Sequence, residues 1–329
     1  MSWGQTADGG FRHQAVYYRA PDGYLGAVLP FIRAGLARSE PVLVAVPPPA
    51  ARLLLTGLGR PGDDGAGEGG SAGGVTFADM TELGRNPGRI ISAVWEFISR
   101  HAGRPVRFLG EPLWPARTAA EAREAVRHEA LINVAFAAAP VAVLCPYDEA
   151  LTPRLVASAG HTHPVVGTLA EPRPSPDYAG GRVPRASARP LPRPPARAEH
   201  LAYRGDLRPV RDFVTRFAQR SGGLGPDRAA DLVLAVGELA ANTLRHTSGG
   251  GVVHAWSAPG EVVCQVTDQG RISDPLVGRR RPPDASGLGI WVVHQICDLV
   301  ELRTGRSGTA VRVHMRTGIP ATQASARRR

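Results

Sequence analysis

The amino-acid sequence predicts two domains of different construction: an α/β three-layer domain on a mainly parallel sheet, then an α+β two-layer sandwich. Three observations predict this. Strand-like and helix-like segments alternate through the first half of the chain, the pattern of a sheet covered on both faces. The second half instead runs helices and then hairpin-like strands, which suits a sandwich with an antiparallel-leaning mixed sheet. Between the halves, residues 171–200 hold eight prolines and six arginines and almost no apolar run. Such a stretch buries too little surface to fold, and it reads as an extended, semi-rigid linker. The domains are therefore drawn at 11–168 and 201–317, with the linker at 169–200.

In the first domain, Tyr24–Arg38 follows a helical pattern and Val42–Val46 is an apolar strand stopped by three prolines. Residues 57–74 are glycine-rich and are expected to form a disordered surface insertion. Val75–Asp79 reads as a strand. Pro87–His101 reads as a helix because Ile90, Ile91, Val94, Phe97 and Ile98 fall on one stripe. Val106–Leu109 is a strand. Thr118–Ala137 is a helix opened by a capping box, with Thr118 as N-cap and Glu121 three residues on. Val141–Cys145 is a fully apolar strand. In the second domain, helices are expected over Leu207–Ser221 and from Asp227 to His246, then strands at Gly251–Ala258 and Glu261–Asp268. A polar stretch at 271–286 precedes a helix at Leu288–Cys297, and strands Leu299–Thr304 and Thr309–Met315 follow.

No run of about 18 apolar residues suggests a membrane span. The N-terminus lacks a basic-then-apolar signal, so a cytoplasmic protein is expected. Cys145, Cys264 and Cys297 lie in apolar stretches without paired spacing and read as buried reduced thiols rather than disulfide or zinc ligands. A net charge of +10 would suggest nucleic acid. The excess sits largely in the linker, in Arg279–Arg281 and in Arg327–Arg329, and no groove-reading motif accompanies it, so no direct nucleic-acid partner is expected. All 39 basic side chains are arginine. The absence of lysine excludes a Walker A loop, a protein-kinase strand lysine and a pyridoxal Schiff base.

Chemistry concentrates in four short elements: Glu238-Leu-Ala-Ala-Asn242, Asp268-Gln-Gly270, Gly287-Leu-Gly289 and Gly308-Thr309. Glu238, Asn242 and His246 are spaced four apart and share one helix face. Asparagine is a poor helix former, and its amide oxygen is a suitable hard ligand for Mg²⁺. A carboxylate one turn away is placed to accept a hydroxyl proton. Asp268 ends an apolar strand, where an acceptor-only carboxylate can take a hydrogen bond from an exocyclic amine. Gly287-Leu-Gly289, after Ser286, opens a helix whose amides and dipole favour an anion. Each element alone is equally an ordinary helix face, turn or hairpin.

In this order and spacing the four elements resemble the nucleotide site of the GHKL ATPase superfamily, over about residues 203–316. Glu238-Leu-Ala-Ala-Asn242-Thr-Leu-Arg-His246 is most similar to the serine-kinase anti-sigma factors of the RsbW type. The resemblance implies ATP and Mg²⁺ as cofactors. It makes Asn242 the Mg²⁺ ligand, Asp268 the adenine acceptor, Thr309 a neighbour of the adenine and Glu238 the catalytic base. Gly270, Gly287 and Gly289 would shape the pocket and lid, with His246 and Leu288 in the same cofactor site. The implied partners are a sigma factor and an anti-anti-sigma protein of the STAS type that receives phosphate on serine. Arg279–Arg281 would neutralise the γ-phosphate. A homodimer is left open, as are two alternatives: an ATP-binding sequestering protein without transfer, and a sensor histidine kinase.

In the first domain the chemistry-bearing residues are His13 before Tyr17 and Tyr18, Glu111, Trp114, His128-Glu129, Asn133 and Cys145-Pro-Tyr-Asp148. Glu111, Trp114 and Asp148 fall after strands, where open parallel sheets gather ligand sites. This set, with Phe31-Ile-Arg-Ala-Gly-Leu and Glu40-Pro-Val-Leu-Val, resembles the MEDS-type sensory domain, over about 11–168. That implies a RecA-like fold without a P-loop and an unidentified small-molecule signal. His128 next to an acid matches a phospho-accepting histidine, but the linker stands where a dimerisation hairpin belongs, and a structural or sensory role is expected. His161 and His163 could bind metal, but no cysteine or acid lies close, and they read as an exposed loop pair.

Overall fold

The computed structural model describes residues 10–19, 23–59, 71–72, 74–221, 223–282, 284 and 287–318. The chain divides into two compact units, with the boundary between Ala188 and Arg189. Among the described residues, no helix is long and apolar enough to cross a membrane.

The first unit runs β1 (Arg12–Tyr18), α1 (Gly23–Ala37), β2 (Val42–Val46), α2 (Pro48–Gly57), β3 (Ser71–Ala72), β4 (Val75–Asp79) and α3 (Met80–Leu83). It continues with α4 (Ile90–Arg100), β5 (Val106–Gly110), α5 (Ala119–Ala135), β6 (Val141–Asp148), α6 (Pro153–Thr162), β7 (Val165–Gly167), β8 (Pro172–Pro174) and α7 (Arg185–Ala188). The sheet order is β3-β4-β2-β5-β6-β1-β7-β8. Its six central strands are parallel, and β3 and β8 add antiparallel edges. Buried on both faces, β2 and β5 carry no exposed residue, which is why they read as continuous apolar runs. The expected stripe of α4 is buried in full. Thr118 and Glu121 make both halves of the capping box that starts α5.

Several expectations need correction. The three prolines after β2 do more than stop a strand: they open α2, because a proline in the first helical turn lacks only an N–H that has no partner there. The expected insertion at 57–74 lies mostly outside the described residues. The segment read as an unfolded linker is partly built in, since Pro172–Pro174 pairs with β7 at the sheet edge, where a missing N–H is tolerated.

The second unit runs β9 (Glu199–Tyr203), α8 (Arg208–Ser221), α9 (Pro226–His246), β10 (Gly251–Ala258), β11 (Glu261–Asp268), α10 (Leu288–Ile296), β12 (Leu299–Gly305) and β13 (Gly308–Arg316). The sheet, β12-β13-β11-β10-β9, is antiparallel at every described pairing, not mixed. One face meets the helices through Val253, Cys264, Val311, Val313 and Met315 against Val214, Leu232, Val236 and Val293. The other face is polar. Arg312 there forks onto Gln265 Oε1 at 2.7 and 3.0 Å and stacks on Trp256. Former linker residues cross this face: Arg312 donates to the Pro192 carbonyl at 2.6 Å and Arg303 to that of Arg189 at 3.0 Å.

On the same face His314 stands between two carboxylates, 3.1 Å from Glu261 Oε2 and 3.2 Å from Glu301 Oε2. Burial lowers its pKa, but the two carboxylates more than reverse this and raise it to about 9. Unfolded, the ring titrates near 6.5. Its contribution to stability is therefore complete below 6.5 and is lost as pH rises from 6.5 through 9. The expected loss is on the order of 3 kcal/mol at most. It is measurable as falling hydrogen-exchange protection of β13 in the full chain, and H314Q is expected to flatten the dependence.

Candidate functional site

Pro226 at its first turn and a buried stripe of Leu232, Ala235, Val236, Leu239, Ala240 and Thr243 fix α9 against the sheet. That orientation leaves Glu238 and Asn242 half-buried on its flank, while His246 is exposed at the last turn. Among the described residues, His246 joins no hydrogen bond or ion pair of the site. The start of α10 packs on this flank. A Cβ added at Gly289 would stand 2.8 Å from Glu238 Oε2 and 3.3 Å from Asn242 Nδ2. Two motifs far apart in sequence thus meet, and a side chain at position 289 would have to displace the ends of Glu238 and Asn242. Gly287 caps α10 without a side-chain hydrogen bond, and the first turn of the helix opens beside Glu238 and Asn242. Leu288 is half-buried, and Ser286 lies outside the described residues.

Asp268 ends β11 directly opposite Thr309. Its Oδ2 accepts from Thr243 Oγ1 at 2.7 Å and its Oδ1 from the Gly270 amide at 2.7 Å. Each oxygen keeps a second lone pair for an exocyclic amine. Thr309 Oγ1 is 2.8 Å from the Gly270 carbonyl and 3.0 Å from Thr304 Oγ1. Thr304 Oγ1 also accepts from the amide of Ile272, tying the segment after Gly270 to this corner.

The structure adds residues that motif reading missed. Thr243 orients Asp268. Lying one position after Asn242, it points to the buried side, and face spacing does not single it out. Arg245 donates to Asn242 Oδ1 at 2.8 Å, on the oxygen expected to bind Mg²⁺. Of the arginines at 279–281, Arg280 and Arg281 are exposed and Arg279 turns inward. Arg281 lies over the Trp291 ring at 5.4 Å. Gly278, at φ 71°, presses this segment onto Ile290 and His294 of α10.

In the first unit, Glu111 is buried and accepts from Tyr18 Oη at 2.6 Å and Tyr24 Oη at 3.3 Å. Burial raises its pKa to about 7 against the lowering of the two tyrosines. Asp148, at the end of β6, adds to the rise and accepts from the Ala150 amide. Trp114 carries the Arg117 guanidinium over its ring at 3.8 Å. His128 is 1% exposed inside α5 and so presents no ring nitrogen to a phosphoryl donor. The expectation for His163 is overturned. It is fully buried beside Glu129, because parallel crossovers bring distant segments to one interior point. His161 is exposed, as expected.

The first unit is thus an α/β domain on a mainly parallel sheet, and the second an α+β sandwich with a Glu–Asn pair beside a glycine-opened helix. Residues 12–164 match the family of the methanogen/methylotroph DcmR sensory (MEDS) domain, and residues 201–315 match the histidine kinase-like ATPase domain. The chain therefore carries a MEDS domain followed by a histidine kinase-like ATPase domain. No curated protein matches it. Solved structures similar to it include the RsbU and RsbW domains of Rv1364c from Mycobacterium tuberculosis, at 22% identity and TM-score 0.30 over 39% of this chain and 34% of that one. Another is the Acinetobacter baumannii histidine kinase AdeS, at 14% identity and TM-score 0.24 over 37% of this chain and 70% of that one. The chain thus spans about a third of the first of these.

Proposed function

We propose that the second unit binds Mg²⁺-ATP and transfers a phosphoryl group to a serine of an anti-anti-sigma partner, under control of the sensory unit. The observation that supports this most is the meeting of Glu238, Asn242 and Gly289, which leaves a cradle that a single Cβ would fill. The donor set suits the cofactor: a hard amide oxygen from Asn242, a carboxylate, and the amides of a helix start. Asn242 would hold Mg²⁺ after releasing Arg245. Asp268, braced by Thr243 and the Gly270 amide, would accept the adenine amine, with Thr309 beside it. ATP supplies the phosphoryl group when bound. Glu238 takes the proton of the attacking serine hydroxyl. Glu238 also borders a groove of about 740 Å³ between α8 and α9, a route by which a serine-bearing loop can reach it.

A histidine-kinase reading is disfavoured by the burial of His128. Incubating the full chain with labelled ATP and an anti-anti-sigma protein tests the proposal. Acid-stable label on a partner serine is expected, with Mg²⁺-ATP affinity lost at least about tenfold in Asn242→Ala. Nucleotide binding without transfer would favour a sequestering protein. Acid-labile label on the chain itself would favour the histidine kinase.

A further inference from the structure

Four side chains from separate parts of the first unit converge in its interior: His13 of β1, Glu129 of α5, Cys145 of β6 and His163 just after α6. All four are buried, and one ligand atom from each lies within 4.8 Å of the others. Glu129 Oε2 is 2.8 Å from His163 Nε2 and 3.3 Å from His13 Nε2, and His13 Nε2 is 3.5 Å from Cys145 Sγ.

The hydrogen bonds around the cluster fix the tautomer of His13. Asn133 Nδ2 faces the carbonyls of Glu129, Ala130 and Thr162 at 3.3, 3.2 and 2.7 Å, so its Oδ1 is the acceptor 3.1 Å from His13 Nδ1. The proton of His13 therefore sits on Nδ1. His163 Nδ1 lies 3.0 Å from the Ala159 carbonyl, which only accepts, and 2.9 Å from the Thr162 hydroxyl, which can donate to it. His13 Nε2 is left as a lone pair, with the Glu129 carboxylate at 3.3 Å and the Cys145 sulfur at 3.5 Å. Acceptors facing acceptors in a dry interior repel unless something positive stands between them. Consistent with this, both Glu129 oxygens and His163 Nε2 are buried without a well-directed hydrogen bond.

We propose that His13, Glu129, Cys145 and His163 form a tetrahedral site for a divalent cation of the zinc class. Zinc bonds of roughly 2.0–2.3 Å place tetrahedral ligand atoms about 3.3–3.6 Å apart, which the His13–Glu129 and His13–Cys145 spacings match. The mixed nitrogen, oxygen and sulfur donors select zinc over Mg²⁺ or Ca²⁺. Asn133 and the Ala159 carbonyl supply the outer hydrogen bonds that orient metal-bound histidines. With four protein ligands the site has no open position, so its role is to staple β1, α5, β6 and the α6–β7 turn together. Binding converts the Cys145 thiol to a thiolate, and its proton leaves to solvent.

The test uses the full chain, stripped of metal and titrated with Zn²⁺ or Co²⁺. One ion per chain is expected, with Co²⁺ giving tetrahedral d–d bands and a thiolate charge-transfer band. Cys145 is the sole cysteine of the first unit, so Cys145→Ser is expected to remove that band. Asn133→Ala should weaken binding by about 10–100-fold through His13. The exposed control His161→Ala should change nothing. A folded wild-type chain that takes up neither ion would overturn the proposal and leave a protonated histidine–Glu129 pair as the answer. Uptake with full intensity in both Cys145→Ser and Glu129→Gln would overturn it equally. The wild-type spectrum decides even if the variants fail to fold.

Discussion

Glu238→Gln is expected to keep Mg²⁺-ATP bound within a few-fold of the parent affinity while slowing serine phosphorylation by about 10²–10⁴-fold. Glutamine preserves the size of the side chain and its contact with Gly289 but cannot take a proton. Asn242→Ala, one turn away, should instead fail at binding, because it removes the oxygen proposed for Mg²⁺. The pair of variants separates the two functions assigned to one helix face. Calorimetry with Mg²⁺-ATP reads the first, and acid-stable label on the partner serine reads the second. Phosphorylation at the parental rate in Glu238→Gln would remove Glu238 from the chemistry and leave the nucleotide site standing.

Much of this fold is legible in the sequence because it rests on periodicity. The buried stripe of α4 and the capping box of α5 are local patterns, and each is realised where the pattern places it. What escaped is non-local or short. β9 is a five-residue edge strand at the end of a proline-arginine stretch, whose alternation is too brief to stand out. α2 was hidden by prolines that terminate one element and start the next. At the nucleotide site, the order of motifs pointed to a set, but only the packing of α10 on α9 shows Gly289 against Glu238 and Asn242. Arg245 on Asn242 and the inward Arg279 have no local signature, since both depend on where a neighbouring element lies.

The histidine–cysteine cluster was invisible for the same reason in stronger form. Sequence logic sought ligands close to His161 and His163, as in short-spaced zinc motifs. A parallel sheet instead joins strands through long crossovers, and β1 lies directly beside β6 although most of the unit separates them in sequence. The register that pairs Ala15 with Cys145 is what brings His13 within reach of the thiol. Such a constellation has no spacing rule to find it by.

Gly308→Ala is expected to destabilise the second unit by about 3–5 kcal/mol, among the larger effects of any single methyl group. Gly308 has φ 109°, a conformation that L side chains rarely adopt, and an added Cβ would collide with the Asp268 carbonyl oxygen. That oxygen belongs to backbone in a paired strand, so relief requires β11 and β13 to separate where Asp268 faces Thr309. Gly305 pairs with Gly308 across the same hairpin, yet a Cβ there meets nothing within 4 Å. Gly305→Ala should therefore stay within about 0.5 kcal/mol of the parent. Thermal melts of the full chain compare the two. Because the strain falls on Asp268 and Thr309 together, any Gly308→Ala protein that still folds should also lose adenine nucleotide affinity, while Gly305→Ala keeps it. Equal melting of the two variants would mean that the hairpin relaxes freely, and that the glycine before Thr309 is a turn residue without a part in holding the nucleotide corner.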